Sequence, residues 1–154
     1  GDKTPGKYRN YSVKIKKSSH QPPELESQVQ SYMDELITFI QKDDSPKYDL
    51  IKTALVHHRF MWIHPFGNGN GRTGRLVTYA MLVKQGFNIK SGKLINPTAI
   101  FCLDRDLYNE KLSVADSGRE IGLTEWCEFV LIGLKSENED LHQILVETYY
   151  FALL

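Results

Sequence analysis

Residues 64–75 read His64-Pro65-Phe66-Gly67-Asn68-Gly69-Asn70-Gly71-Arg72-Thr73-Gly74-Arg75. A helical pattern ends at the histidine, a glycine-rich loop over 67–71 follows, and a new helical pattern opens with two arginines in its first turn. Glycines let successive backbone N–H groups turn toward one point, which makes a nest for an anion. The start of the next helix adds its own unpaired N–H groups and the positive end of its dipole. Cations in a first turn oppose that dipole, and a bound polyphosphate would resolve the conflict at Arg72 and Arg75. Spaced by three, the two arginines share a helix face and can hold adjacent phosphates through paired N–H donors. Two other phosphate signatures compete for the segment. Gly69-x-Gly71-x-x-Gly74 fits the dinucleotide fingerprint in letters, but that signature needs a preceding strand and a helix precedes it here. A P-loop needs lysine and then Ser or Thr where this chain has Arg75 and Leu76.

The same stretch resembles the signature of the Fic family, His-x-Phe-x-acid-Gly-Asn-Gly-Arg-x-x-Arg. His64, Phe66, Gly69, Asn70, Gly71, Arg72 and Arg75 stand at the matching positions. Residues 57–63 are similar to the His- and Phe-containing helix that leads into the family motif. Gly6-Lys7-Tyr8-Arg9 through His20-Gln21-Pro22-Pro23 is similar to the family's target-positioning flap and the helix start after it. Leu107-Tyr108-Asn109 and Leu112 are similar to a later Tyr-containing helix. The resemblance implies a protein adenylyltransferase, with ATP and Mg²⁺ or Mn²⁺, acting on a Ser, Thr or Tyr hydroxyl of a target protein. It implies His64 as general base, a task suited to imidazole near neutral pH. It implies a phosphate site made by Gly67, Asn68, Gly69, Asn70, Gly71, Arg72 and Arg75, with Phe66 as a packing anchor. A flap strand around residues 8–15 would align the target main chain to main chain. Tyr108 is either a wall for the adenosine or simply half-buried core.

Asn68 departs from this pattern, because the family places Asp or Glu there to help bind the metal. An Asn carbonyl can ligate Mg²⁺ but brings no charge, so weaker metal binding is expected. A transferase with a weakened metal site, a changed nucleotide preference and a silent nucleotide-binding module all remain open. So do transfer of another phosphate-containing group and removal of AMP. The family's inhibitory Ser/Thr-x-x-x-Glu-Gly/Asn helix is approached only by Ser31 to Glu35 and Thr124 to Glu128, each followed by the wrong residue, Leu36 and Phe129. An inhibitory element is therefore expected upstream or on a separate partner, and Arg75 is expected to be open to ATP.

The scaffold required by this site is all-α. Of the 154 residues, 41% are apolar and 25% charged, the make-up of a globular domain. Nineteen basic residues balance nineteen acidic ones, which gives no electrostatic case for binding nucleic acid or an anionic membrane. Apolar runs fall short of a membrane span and no secretory signal opens the chain, so a cytoplasmic setting is expected. Gly1 in place of Met points to a longer parent with an upstream segment. One domain is expected over 1–154, with a small β-hairpin flap in 1–20 and a compact helical core in 21–154. Tyr11–Ile15 alternates like a strand, and helices are expected from Pro22–Pro23 to about 40, then over 46–63, 72–85 and 97–116. Another runs from Thr124 to the chain end. Leu25, Val29, Met33, Leu36, Ile37 and Ile40 form one apolar stripe. His57 and His58 point about 100° apart, so packing or capping is expected of them rather than joint metal ligation. His20 and His142 are expected at the surface, Cys102 and Cys127 as reduced core thiols. Tyr149, Tyr150 and Phe151 are expected to serve packing or a homodimer contact.

Overall fold

The computed structural model describes residues 5–15, 22–87 and 96–137. Within them the helices are α1 (Glu26–Gln41), α2 (Asp49–Ile63), α3 (Asn70–Lys84), α4 (Pro97–Cys102), α5 (Arg105–Ala115) and α6 (Glu120–Glu137). A single 3-10 turn, Pro46–Tyr48, leads into α2. Among the described residues there is no strand: 8–15, with the expected arm Tyr11–Ile15, form neither helix nor ladder. Residues 1–4 and 16–20, the rest of the expected flap, lie outside the described residues, as do His20 and His142. The expected C-terminal continuation through Tyr149, Tyr150 and Phe151 also lies outside them.

α2 is the centre of the fold. It is buried nearly all round, at Leu50, Lys52, Thr53, Ala54, Val56, His57, His58, Phe60 and Ile63. A helix without a solvent face must be wrapped by others, and α1, α3 and α6 all pack on it. Val56, Phe60 and Ile63 meet Val29, Met33 and Leu36 of α1. Leu50 and Ala54 meet Trp126, Val130, Leu131 and Leu134 of α6, together with Phe101 of α4 and Leu82 of α3. The expected α1 stripe is narrower than its letters suggest, since Leu25 and Ile37 are exposed. α1 also begins later than Pro22–Pro23, where the Gln28 side chain turns back to accept the Leu25 N–H.

The helix expected over 97–116 is two helices. Asp104 lies in extended backbone and its carboxylate accepts the Leu107 N–H, so it caps a new start instead of continuing the old helix. α6 begins at Glu120, before Thr124, whose hydroxyl bonds back to the Glu120 carbonyl within the helix. The turn between α5 and α6 bends at Gly118, φ +67°. The two helices then approach so closely that a Cβ on Gly122 would lie 2.5 Å from the Val114 carbonyl oxygen. Cys102 and Cys127 are free and partly buried, and burial pushes the Cys127 thiol up to about 11.

Candidate active site

The C-terminus of α2 and the N-terminus of α3 are joined by residues 64–69, and their crossing depends on Gly74. A Cβ there would sit 3.2 Å from the Met61 sulfur and 3.4 Å from the Phe60 ring. Close contact at that point sets the first turn of α3 beside the last turn of α2.

His64 ends α2. Its N–H donates to Phe60 O at 3.1 Å, and its backbone is left-handed, φ 51° and ψ 58°. It is the one non-glycine residue with positive φ among the described residues, a conformation L-residues adopt seldom and histidine more readily than most. The ring Nδ1 lies 3.3 Å from Met61 O. A carbonyl only accepts, so Nδ1 carries the hydrogen and the basic lone pair belongs to Nε2. Arg9 belongs by resemblance to the flap segment, but nothing in the sequence gives it a role of its own. It is fully buried and donates to His64 O at 2.8 Å, Ile63 O at 3.2 Å, Tyr11 O at 2.9 Å and Pro23 O at 2.6 Å. Burial pushes its pKa below the ordinary arginine value, though a guanidinium stays charged in proteins.

Asn70 closes the loop. Its Oδ1 accepts the Phe66 N–H at 2.9 Å and its Nδ2 donates to Phe66 O at 2.7 Å, with the side chain buried. Phe66 in turn packs on Phe60 and Tyr8, ring centroids 6.3 and 5.8 Å away. α3 therefore starts at Asn70, two residues before the expected start, with Gly69 at φ +84° as its N-cap. The first turn contains no acid. The Arg72 guanidinium folds over Gly69, where an added Cβ would be 3.3 Å from its Nη2. Arg75 lies over Gly71, where an added Cβ would be 3.4 Å from its Nη1. Among the described residues neither arginine has an ion-pair partner, and Glu35 pairs with Arg59 at 3.8 Å. Gly67 and Asn68 are exposed. The expected phosphate residues thus gather on one loop and one helical turn, with His64 at the loop's other end.

Beneath α3 runs a directional hydrogen-bond chain. Thr78 Oγ1 donates to Gly74 O at 3.0 Å, so it must accept from His57 Nδ1, 2.8 Å away. His57 Nε2 is left to accept from the Tyr108 hydroxyl at 3.1 Å. Tyr108 packs among Phe101, Trp126 and His57, and burial pushes its pKa well above the ordinary phenol value. It is largely core here, with its hydroxyl holding His57. His58 bonds Asp116 at 3.0 Å. Both histidines are structural, and no cluster of three metal-type side chains exists among the described residues. A groove of about 480 Å³ between α1, α2 and the α5–α6 turn, lined by His58, Trp62 and Asp116 among others, contains none of residues 64–75.

His57 has an acid consequence. Burial first, then the nearby charges of Arg75 and His58, push its pKa down to about 3 from 6.5. Between those values the unfolded chain binds the extra proton, so this contribution to stability is full above about pH 6.5 and is lost as pH falls toward 3. Urea midpoints should therefore drop between pH 7 and pH 5, and drop less in His57→Asn; equal slopes in both proteins would refute the assignment.

The Fic/DOC family matches residues 1–82, more than half of the chain. The chain belongs to the Fic/DOC family. It is 36% identical over 116 residues to the protein adenylyltransferase Fic of Nematostella vectensis, covering 73% of this chain and 24% of that protein. It is 29% identical over 83 residues to the protein adenylyltransferase fic-1 of Caenorhabditis briggsae, covering 53% of this chain and 16% of that protein. The crystal structure of a Fic family protein from Desulfovibrio desulfuricans G20 superposes with a TM-score of 0.63 at 26% identity, over 86% of this chain and 39% of that one. The chain thus spans about a quarter or less of these two named relatives and well under half of the solved one. No helix among the described residues is long and apolar enough to cross a membrane.

Proposed function

We propose that the chain transfers AMP from ATP to a hydroxyl of a target protein, with His64 as general base. One observation carries the reading: His64 Nδ1 faces Met61 O, which assigns the lone pair to Nε2 at the rim of a glycine loop that runs into an arginine-bearing helix start. In this mechanism the target hydroxyl gives its proton to Nε2, the oxygen bonds to the α-phosphorus, and the α–β bridging bond breaks to release pyrophosphate. Arg72 and Arg75 hold the β- and γ-phosphates, and the N–H groups of the loop and of the first turn of α3 stabilise the charge that builds up. Asn70 keeps that loop closed through Phe66. The similar proteins named as protein adenylyltransferases support the same chemistry. Intact-mass measurement after incubation with ATP and Mg²⁺ or Mn²⁺ tests it, with a gain of one AMP as the expected result. ATP binding with no AMP added to this chain or to proteins of a cell extract would favour a silent nucleotide-binding module.

That second reading has one observation behind it, the neutral Asn68. The loop and the first turn of α3 offer a divalent cation no carboxylate, and Asn68 presents an exposed neutral amide oxygen. Such a donor set fits a cation brought in by the nucleotide and held chiefly by phosphate oxygens. Bound there, the cation would offset phosphate charge. Restoring the carboxylate with Asn68→Asp should lower the Mg²⁺ concentration needed for half-maximal ATP binding by about tenfold, one charge–charge contact's worth at a partly exposed site. Calorimetric titration of ATP at graded Mg²⁺ reads it, and an unchanged Mg²⁺ dependence would mean that position 68 does not reach the metal.

A further inference from the structure

A buried arginine that meets no carboxylate among the described residues needs a reason. Arg9 is fully buried, and among the described residues its side chain donates to carbonyl oxygens. Two of them, Ile63 O and His64 O, belong to the C-terminal end of α2, where carbonyls have no intrahelical donor and the dipole is negative. The Arg9 backbone N–H donates to the next carbonyl, Pro65 O, at 2.8 Å. A single residue thus holds three consecutive peptide planes, 63, 64 and 65, on both sides of the left-handed His64. The guanidinium's remaining bonds reach Tyr11 O and Pro23 O, so the clamp also spans the extended segment 8–15 and the approach to α1.

We infer that Arg9 is a positioning residue for His64: it fixes the left-handed backbone that aims the imidazole and ties that backbone to the segment beside it. The inference rests on the reading of His64 as the base. A planar fork with five N–H donors suits several divergent carbonyls, whereas a lysine ammonium keeps the charge but reaches them from a single point. Arg9→Lys should therefore hold the fold yet loosen His64. Arg72 and Arg75, carried by α3, are untouched by the change.

The test uses the 154-residue chain as wild type, Arg9→Lys and Arg9→Gln. Three quantities are read on each: the unfolding midpoint, the Kd for ATP, and kcat for AMP transfer at saturating ATP. In folded Arg9→Lys the Kd should stay within about twofold while kcat falls about 10- to 100-fold, the effect of misplacing a catalytic group by a fraction of an ångström to one ångström. Arg9→Gln should show the larger loss. A lowered midpoint with an unchanged kcat would make Arg9 a purely structural anchor and overturn the inference. If the wild type transfers no AMP, the functional reading fails separately, and the ¹⁵N shifts of the His64 ring decide about Arg9. A shift pattern that moves from the Nδ1–H tautomer toward a mixture in Arg9→Lys supports positioning, and an unchanged pattern refutes it. If neither variant folds, hydrogen exchange at Arg9 Nε–H in the wild type decides: protection comparable to the His64 amide supports the clamp, and exchange as fast as at an exposed arginine removes it.

Discussion

His64→Asn is expected to lower AMP transfer by about 10²- to 10⁴-fold, the contribution of a positioned general base, with ATP still bound and the domain still folded. Asparagine is the informative substitution because of the backbone. His64 stands at φ 51°, and an alanine forced into that region would cost about 1–2 kcal/mol, mixing a stability loss into the rate. Asparagine tolerates the left-handed region and keeps a polar side chain near Met61 O, but it has no basic nitrogen. The nucleotide site should survive, since Arg72, Arg75 and the N–H groups of the first turn belong to α3, and the loop is closed by Asn70 rather than by His64. Single-turnover transfer measured beside ATP affinity and the unfolding midpoint separates these effects. A variant that still transfers AMP at more than a tenth of the wild-type rate would remove His64 from the role of base.

The parts of this site that sequence made legible are those where residue type alone carries the physics. A glycine loop opening into a helix with two arginines in its first turn suits an anion, and the loop and helix lie within two residues of where the letters place them. What stayed hidden depends on tertiary partners. Arg9 becomes meaningful only when the segment 8–15 folds against the end of α2. Asn70 is expected by resemblance in the phosphate site, whereas its buried amide bonds the Phe66 backbone. The amphipathic run over 97–116 gives one helical period throughout, and only the Asp104 carboxylate, competing for a backbone N–H, divides it into α4 and α5. Leu25 and Ile37 fit the α1 stripe by spacing, yet both are exposed. His57 and His58 were expected to pack or cap, and His57 does so through a bond direction that spacing cannot state, because its tautomer is set by Thr78 donating to Gly74 O.

Trp126→Ala should be the most damaging core substitution, costing about 3–5 kcal/mol. The indole is fully buried. It stacks on Phe101 with an interplanar angle of 9° and on His57 with one of 23°, and its Nε1 donates to Ala54 O at 2.8 Å across α6 and α2. Truncation leaves a large cavity and removes that donor. For a domain of this size the unfolding midpoint should fall by about 10 °C or more. The loss should also reach the site, because the wall behind His57 is part of the chain that runs through Thr78 to Gly74, next to Arg75. Trp126→Phe separates the two contributions: it keeps an aromatic stack and loses only the indole N–H and one ring. Urea unfolding of both variants, with ATP affinity measured on the folded protein, should rank wild type above Trp126→Phe above Trp126→Ala in stability. ATP affinity should weaken clearly only in the alanine variant. Equal stability losses in the two variants would place the cost in the hydrogen bond to Ala54 O rather than in the stack, and the site would then owe its support to α2 alone.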